Sequence, residues 1–172
     1  MATRKTSKSP QKENRKTGVA DKGETHLRPS AVDQRQPASL GRFDHVAIEV
    51  AAFEATVDEL VATGSMRHIR SGVLARTGQR IALLGDGTGV KIELIENKDA
   101  SAPRLAHLAF RCADVVNSKQ SLEVQGWRGL FGPHTLDAAK ADTALLEDAQ
   151  HLRLQIIRYD DTSPDLIEWQ NV

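Results

Sequence analysis

An internal repeat constrains the fold of this chain more than any other feature of its sequence. When the chain is aligned with itself at an offset of 62 residues, Leu152–Ile157 falls on Val90–Ile95 and Ala106–Phe110 falls on Asp44–Ile48, with no gap. Repetition at a fixed period is typical of chains built from copies of one supersecondary unit. The sequence therefore predicts two tandem modules of similar structure.

Hydrophobic periodicity predicts the elements of each module. Phe43–Val50 alternates as a strand does, and Ala52–Thr63 carries apolar residues at helical spacing before Gly64. Further strands of the first module are predicted at Met66–Arg70, Gln79–Leu84 and Val90–Glu96, with a glycine-rich hairpin turn before the last. The second module is predicted to contain the strands Leu105–Cys112, Trp127–Phe131, Thr143–Leu146 and Leu152–Tyr159, the helix Val115–Gln125, and a loop or short helix over Gly132–Asp142. The predicted fold class is α+β, with two βαβββ modules.

Composition and charge suggest how the rest of the chain is organised. Residues 1–40 hold nine Lys and Arg against four Asp and Glu, with few large apolar side chains, so we expect a disordered basic tail. The predicted domain covers residues 42–160, with modules at 42–98 and 104–160 and a C-terminal tail at 161–172. A solvated tail is favoured over a tether to nucleic acid or a membrane surface and over a transit peptide, which would be poor in acidic residues, whereas Glu13, Asp21, Glu24 and Asp33 interrupt this segment. We expect no membrane span, because the sequence has no long apolar run. The single cysteine, Cys112, favours a reducing, cytoplasmic compartment.

Strand parity predicts the direction of four polar side chains. Val46, Ile48 and Val50 form the uniformly apolar face of the first strand, which must pack on the helix. His45 then points to the face without helices. By the same argument, that open face also receives the remaining three residues: Glu93, His107 and Gln155.

Two imidazoles, one carboxylate and one amide oxygen form a suitable ligand set for a divalent transition metal. Such a set fits one Zn, Ni, Co, Mn or Fe ion, and the absence of a thiolate argues against a structural zinc site. A cation would also offset the cost of burying Glu93 in mid-strand. The alternative is that each side chain is a polar residue satisfied within the sheet. The shared register and face favour the metal site.

The repeated module, with Asp44–Ile48 and Ala106–Phe110 opening the two copies and Lys91–Ile95 closing the first, resembles the vicinal oxygen chelate superfamily. The resemblance covers about residues 42–160 and is greatest to the branch of glyoxalase I and methylmalonyl-CoA epimerase. It implies that the modules form a cup-shaped, mostly antiparallel sheet around one divalent metal that polarises vicinal substrate oxygens. It also places His45, Glu93, His107 and Gln155 at the four ligand positions.

The chain departs from the family pattern where the first helix ends, with Leu60–Thr63 in place of an aromatic stretch, and at two places that bear on the reaction. Gln155 stands where the final strand usually carries a Glu that also serves as a base in the glyoxalase branch, and this disfavours the dioxygenases as well. Residues 66–84 contain no Asp or Glu, whereas epimerases use a carboxylate base on an earlier strand. The resemblance thus implies a glyoxalase I-like lyase or isomerase that works through a metal-stabilised enediolate. Because the final strand carries Gln155, the candidate base in this chain is Glu93, which would act by dissociating from the metal. The alternatives are an epimerase-like enzyme and a non-catalytic small-molecule-binding protein of the same superfamily.

Three cations share the parity of the open face and are candidate substrate-binding residues. Lys91, Arg111 and Arg153 could hold a carboxylate or thioester portion of a substrate, although cations near a sheet edge are often only solvated. The expected partner is a small-molecule substrate. A homodimer is left open, and neither a membrane nor a nucleic acid is expected.

Overall fold

Eight strands form a single sheet in the computed structural model, which describes residues 40–166. The first module consists of β1 (Phe43–Val50), α1 (Phe53–Ala62), β2 (Arg67–Val73), β3 (Arg80–Gly85) and β4 (Lys91–Glu96). The second consists of β5 (Arg104–Arg111), α2 (Val115–Val124), β6 (Arg128–Leu136), a 3-10 turn at Asp137–Ala139, β7 (Ala141–Glu147) and β8 (Arg153–Tyr159). The predicted strand-helix-three-strand order is confirmed in both modules.

The strand order shows how the two modules are joined. It runs β2-β3-β4-β1-β5-β8-β7-β6, so the first strands of the modules are neighbours at the centre of the sheet. Within each module the first and last strands pair in parallel, and every other pairing is antiparallel. The sheet curls into a half-barrel, which confirms the predicted α+β fold with a cup-shaped, mostly antiparallel sheet.

Both helices cover the same kind of sheet face, the one that strand parity selects. Phe53 of α1 packs with Val50, Leu84 and Leu94, and Leu122 of α2 packs with a matching cluster from the second module. Asp114 begins α2 by accepting a hydrogen bond from the backbone N–H of Asn117 at 2.9 Å. The apolar cores therefore lie under the helices, and the opposite face remains for the polar side chains.

The predicted loop or short helix over Gly132–Asp142 is mostly wrong. β6 continues to Leu136, and β7 already starts at Ala141, with His134 paired to Thr143. The glycine and proline in this stretch suggest a break, but β6 is an edge strand of the sheet. A proline there costs no ladder hydrogen bond on the outer side, so pairing with β7 can extend the strand.

The ends of the described segment lie beyond the last strands. The N-terminal tail predicted for residues 1–40 lies outside the described residues, apart from Leu40. The first part of the predicted C-terminal tail, residues 161–166, packs on the domain through the buried residues Ser163 and Asp165. Between residues 40 and 166, no helix has the length and apolar character that a membrane span requires.

Candidate metal centre

Three of the four predicted ligands converge on one point of the open sheet face. Donor atoms of His45, Glu93 and His107 all lie within 4.8 Å of one another. Oε2 of Glu93 is 3.9 Å from Nε2 of His45 and 3.8 Å from Nε2 of His107, and the two Nε2 atoms are 3.4 Å apart. This triangle of one carboxylate and two imidazoles has the size of a metal-binding group.

The register of the four central strands explains why these residues meet. Glu93 of β4 is level with Ala47 of β1, and Ala47 is level with His107 of β5. A second row runs from His45 of β1 through Ala109 of β5 to Gln155 of β8. Residues level with each other on neighbouring strands share a sheet face. Each row thus places a fully buried alanine between two larger polar side chains, which leaves room for those side chains to lean together.

The orientation of His45 is fixed by its chain neighbour. Nδ1 of His45 lies 2.8 Å from Oδ2 of Asp44. Because an ionised carboxylate can only accept a hydrogen bond, Nδ1 carries a proton, and Nε2 is the ring nitrogen that faces the centre. A histidine bound on one nitrogen by a carboxylate is the arrangement commonly found behind metal-ligating imidazoles.

Burial keeps His107 in its neutral form. Desolvation and the neighbouring His45 lower the pKa of His107 from 6.5 to about 3. At neutral pH its imidazole therefore offers a lone pair. Two imidazoles and a carboxylate only 8% exposed give a ligand set that suits a divalent cation.

Gln155 gives the clearest sign that the centre is built to hold something. Its Oε1 is buried and makes no hydrogen bond of normal geometry within residues 40–166, although the His107 ring lies near enough to interact with this side chain. A buried acceptor without a partner costs about 1–3 kcal/mol, so natural proteins seldom leave one unexplained. Coordination to a cation held by the other three side chains would satisfy this oxygen. The residues present therefore fit the divalent metal that the family resemblance implies.

The structure does not bring the three predicted substrate-binding cations together. Lys91 is 1% exposed, and its Nζ donates to Asp44 Oδ1 at 3.0 Å and to the carbonyl oxygen of Asp165 at 3.2 Å. Arg111 donates from Nε to the same Asp44 oxygen at 2.8 Å. Arg153 lies apart from them, 45% exposed, with its Nε 3.3 Å from Glu147. Lys91 and Arg111 are thus engaged by Asp44, while Arg153 remains at the surface.

Several residues near the centre were not predicted from the alternation of the strands. Asp44 has helix-face parity, but a register shift between Phe43 and His45 turns its carboxylate towards Lys91, Arg111 and the hydroxyl of Tyr159, which donates to Oδ2 at 2.7 Å. The position of Asp44 directly before His45 in the sequence could have indicated that the two side chains interact. Arg70 and Asp165 lie 95 residues apart in sequence, and no local pattern connects them.

Comparison with known proteins agrees with this architecture. A sequence profile described as the glyoxalase/bleomycin resistance protein/dioxygenase superfamily matches residues 44–144, more than half of the chain. No curated protein matches the sequence.

Solved structures with the same fold include two methylmalonyl-CoA epimerases. The Streptomyces coelicolor enzyme, in complex with 2-nitronate-propionyl-CoA, is 22% identical, with a TM-score of 0.62 over 73% of this chain and 99% of that chain. The Mycobacterium tuberculosis enzyme is 21% identical, with a TM-score of 0.63 over 74% of this chain and 95% of that one. The hypothetical protein BH1468 of Bacillus halodurans is 19% identical, with a TM-score of 0.59 over 71% and 96% of the two chains. The profile match and the paired βαβββ modules together show that this chain belongs to the glyoxalase/bleomycin resistance protein/dioxygenase superfamily, the vicinal oxygen chelate fold.

Proposed function

We propose that this protein is a metal-dependent lyase or isomerase of the glyoxalase I-like type, acting on a small substrate with vicinal oxygens. The observation that carries the proposal is the convergence of His45, Glu93 and His107, with the buried side-chain oxygen of Gln155 near His107. In this proposal the four side chains hold one divalent ion of Zn, Ni, Co, Mn or Fe. When bound, such an ion supplies Lewis acidity that stabilises negative charge on adjacent substrate oxygens.

Glu93 is the proposed base. Its carboxylate faces the centre, and it could take the carbon-bound proton of the substrate on a carboxylate oxygen and return it at a different position. Asp44 is the other carboxylate near the histidines, but Lys91, Arg111 and Tyr159 engage it. Burial alone would raise the pKa of Asp44, yet the His45 hydrogen bond and the Lys91 charge bring it well below its usual range. An acid held so firmly in its ionised form is a poor proton acceptor, which leaves this role to Glu93.

A surface cleft near the start of β5 and of β8 is a candidate place for part of the proposed substrate, although none of the four candidate ligands lines it. It has a volume of about 300 Å³ and is lined by Glu49, Arg104, Leu105, Ala106, Glu147, His151 and Arg153. Ala106 directly precedes His107, and Arg153 lies two residues before Gln155. Of the three cations predicted to bind substrate, Arg153 is the one that lines this cleft, and in this proposal it receives an anionic group of the substrate. A homodimer stays a prediction.

An epimerase-like reaction is the second candidate, because the solved structures of similar fold include methylmalonyl-CoA epimerases. Such a reaction needs proton transfer on both faces of one carbon. β2 and β3, however, contain no Asp or Glu, and the side chain that points from β2 towards Glu93 is the cation Arg70. The chemistry of the centre therefore favours a single carboxylate base.

Elemental analysis of protein purified without added metal tests the proposal first. We expect near-stoichiometric divalent metal in the natural protein and its loss in His45→Ala and Glu93→Ala. His68→Ala is the matched control, because His68 is an exposed histidine that bonds Ser71. Solvent deuterium exchange into 2-oxoaldehyde–thiol adducts and acyl-CoA epimers then separates the two reactions. Metal binding without exchange into any substrate would favour a binding protein, and a metal-free protein would contradict the proposal.

A further inference from the structure

Arg70 lies between the candidate metal centre and the C-terminal segment. Its guanidinium donates to Asp165 from Nε to Oδ1 and from Nη2 to Oδ2, each at 3.0 Å, and Nε also reaches Oδ2 at 3.3 Å. The same Nη2 is 3.8 Å from Oε1 of Glu93. The three side chains form a row of carboxylate, guanidinium and carboxylate, in which Arg70 is shared by two acids.

Asp165 fixes Arg70 in place. The aspartate is 1% exposed, and its own carbonyl oxygen accepts a hydrogen bond from Lys91. A two-point contact between a carboxylate and the planar guanidinium defines the orientation of both groups. The free rotation that a long arginine side chain ordinarily has is therefore removed, and the direction from which Arg70 approaches Glu93 is set.

The two carboxylate oxygens of Glu93 consequently have different surroundings. Oε2 is nearly equidistant from the Nε2 atoms of His45 and His107, at 3.9 and 3.8 Å. Oε1 is turned towards the guanidinium of Arg70. A carboxylate can bind a metal through one oxygen or through both, and the charge beside the second oxygen influences which mode is adopted.

We propose that Arg70, clamped by Asp165, is a positioning residue that limits Glu93 to coordination through one oxygen. This inference rests on the proposed metal-dependent function. With single donor atoms from His45, Glu93, His107 and Gln155, a six-coordinate ion keeps two positions for the adjacent oxygens of a substrate. If Oε1 also bound, one of those positions would be filled. Arg70 thereby favours ligands with two vicinal oxygens.

Cobalt binding provides a direct test on the full chain. The metal-free protein is loaded with Co²⁺, followed by its visible absorption, and then titrated with acetohydroxamate, a small ligand with two adjacent oxygens. Arg70→Gln removes the charge and keeps a polar side chain of moderate size. Arg80→Gln is the matched control, because Arg80 is also a β-strand arginine paired with glutamates, Glu54 and Glu96, away from the centre.

We expect Arg70→Gln to bind Co²⁺ at least as tightly as the natural protein and to bind acetohydroxamate at least about tenfold more weakly. The visible spectrum of its Co²⁺ form should also differ before any ligand is added, because the coordination of Glu93 has changed. Asp165→Asn should show a smaller loss of acetohydroxamate affinity, since Arg70 remains but is less firmly held. A merely structural role for Arg70 would change the unfolding temperature without this spectral difference.

If Arg70→Gln has the same acetohydroxamate affinity and the same visible Co²⁺ spectrum as the natural protein, the inference is overturned, and the proposed metal site is unaffected. Loss of Co²⁺ binding in Arg70→Gln would also overturn it, because Arg70 would then be needed to form the site. If Arg70→Gln does not fold, the acetohydroxamate affinity and the Co²⁺ spectrum of Asp165→Asn test the inference instead. Failure of the natural protein to bind Co²⁺ would contradict the proposed function itself.

Discussion

The two modules contribute equal numbers of candidate ligands, but their surroundings differ. In the first module His45 is bonded to Asp44, and Glu93 is an ion-pair partner of Arg70. In the second module, His107 has a pKa lowered by burial, and the side-chain oxygen of Gln155 makes no hydrogen bond of normal geometry within residues 40–166. The first module thus supplies the charge and the orientation at the centre, and the second supplies neutral donor atoms.

The repeat offset shows where this difference arises. Asp44 corresponds to Ala106 in the second module at the offset of 62 residues. Arg70 is level with Leu83 on β3, and the equivalent residue of β7, Leu145, is level with Phe131 on β6. The second module therefore carries an apolar side chain, Phe131, at the strand position that Arg70 occupies in the first. Gene duplication of a module would fix the ligand register, while single positions decide which copy carries charge.

The largest expected effect comes from removing the charge of Asp44. Asp44→Asn leaves Lys91 and Arg111 without their carboxylate, and an uncompensated buried charge typically costs 3–5 kcal/mol, so we expect about that loss in the free energy of unfolding. Asp142→Asn, at a partly exposed ion pair with Arg158 in the second module, should cost less than about 1 kcal/mol. Urea unfolding of the metal-free proteins measures both. Equal losses would contradict the contrast between the modules.

The second prediction concerns the stability of the metal-free protein in acid. The pKa of His107 is about 3 in the folded state and near 6.5 when unfolded, so the unfolded chain binds more protons between these values. The titration of His107 therefore leaves the free energy of unfolding unchanged above pH 6.5. As the pH falls from 6.5 towards 3, it lowers the free energy of unfolding by an amount on the order of a few kcal/mol.

Unfolding curves measured across this pH range for the natural protein and His107→Asn give the test. The variant should show a weaker pH dependence, whereas His68→Asn, at an exposed histidine, should follow the natural protein. Identical pH dependence in His107→Asn and the natural protein would show that His107 is not kept neutral by the fold.

A third prediction moves the carboxylate between the modules. Glu93→Gln should lower metal affinity by about a hundredfold, since the centre loses its negative ligand. Adding Gln155→Glu to that variant restores the charge and should recover most of the metal affinity. Proton exchange should remain low in the double variant, because Arg70 faces position 93 rather than 155. Isothermal titration with metal and deuterium exchange into substrate separate these outcomes, and full recovery of exchange would mean that either module can carry the base.

The smallest expected effect is at the cleft. Arg153→Gln should raise the KM of an anionic substrate about threefold to tenfold and leave kcat unchanged, because a surface cation contributes about a kcal/mol to binding. Arg128→Gln is the matched control, since Arg128 bonds the same residue, Glu147. Steady-state kinetics on both variants provide the measurement. An equal rise in both would assign the effect to Glu147 and the charge of the surface.

Much of the fold and of the centre could be predicted before the structure. The elements of both modules, the face covered by α1 and α2 and the placement of His45, Glu93 and His107 follow from alternation and from the repeat. The extent of β6 could not be predicted, because Gly132 and Pro133 indicate a turn unless their place at the sheet edge is known. Alternation also could not show that Lys91 is buried. The sequence pattern of a lysine on the open face is the same whether its ammonium group pairs with Asp44 or is hydrated by water.

The sequence by itself determined the repeat, the order of the elements and the open-face parity of the four candidate ligands. These properties depend on the two-residue period of a strand, which is a local property of the backbone. The tertiary structure alone decided the partners of Asp44, the clamp between Arg70 and Asp165, and the unsatisfied oxygen of Gln155. Those contacts join segments far apart in the chain, and their geometry is set by how the sheet curls and where residues 161–166 pack against it.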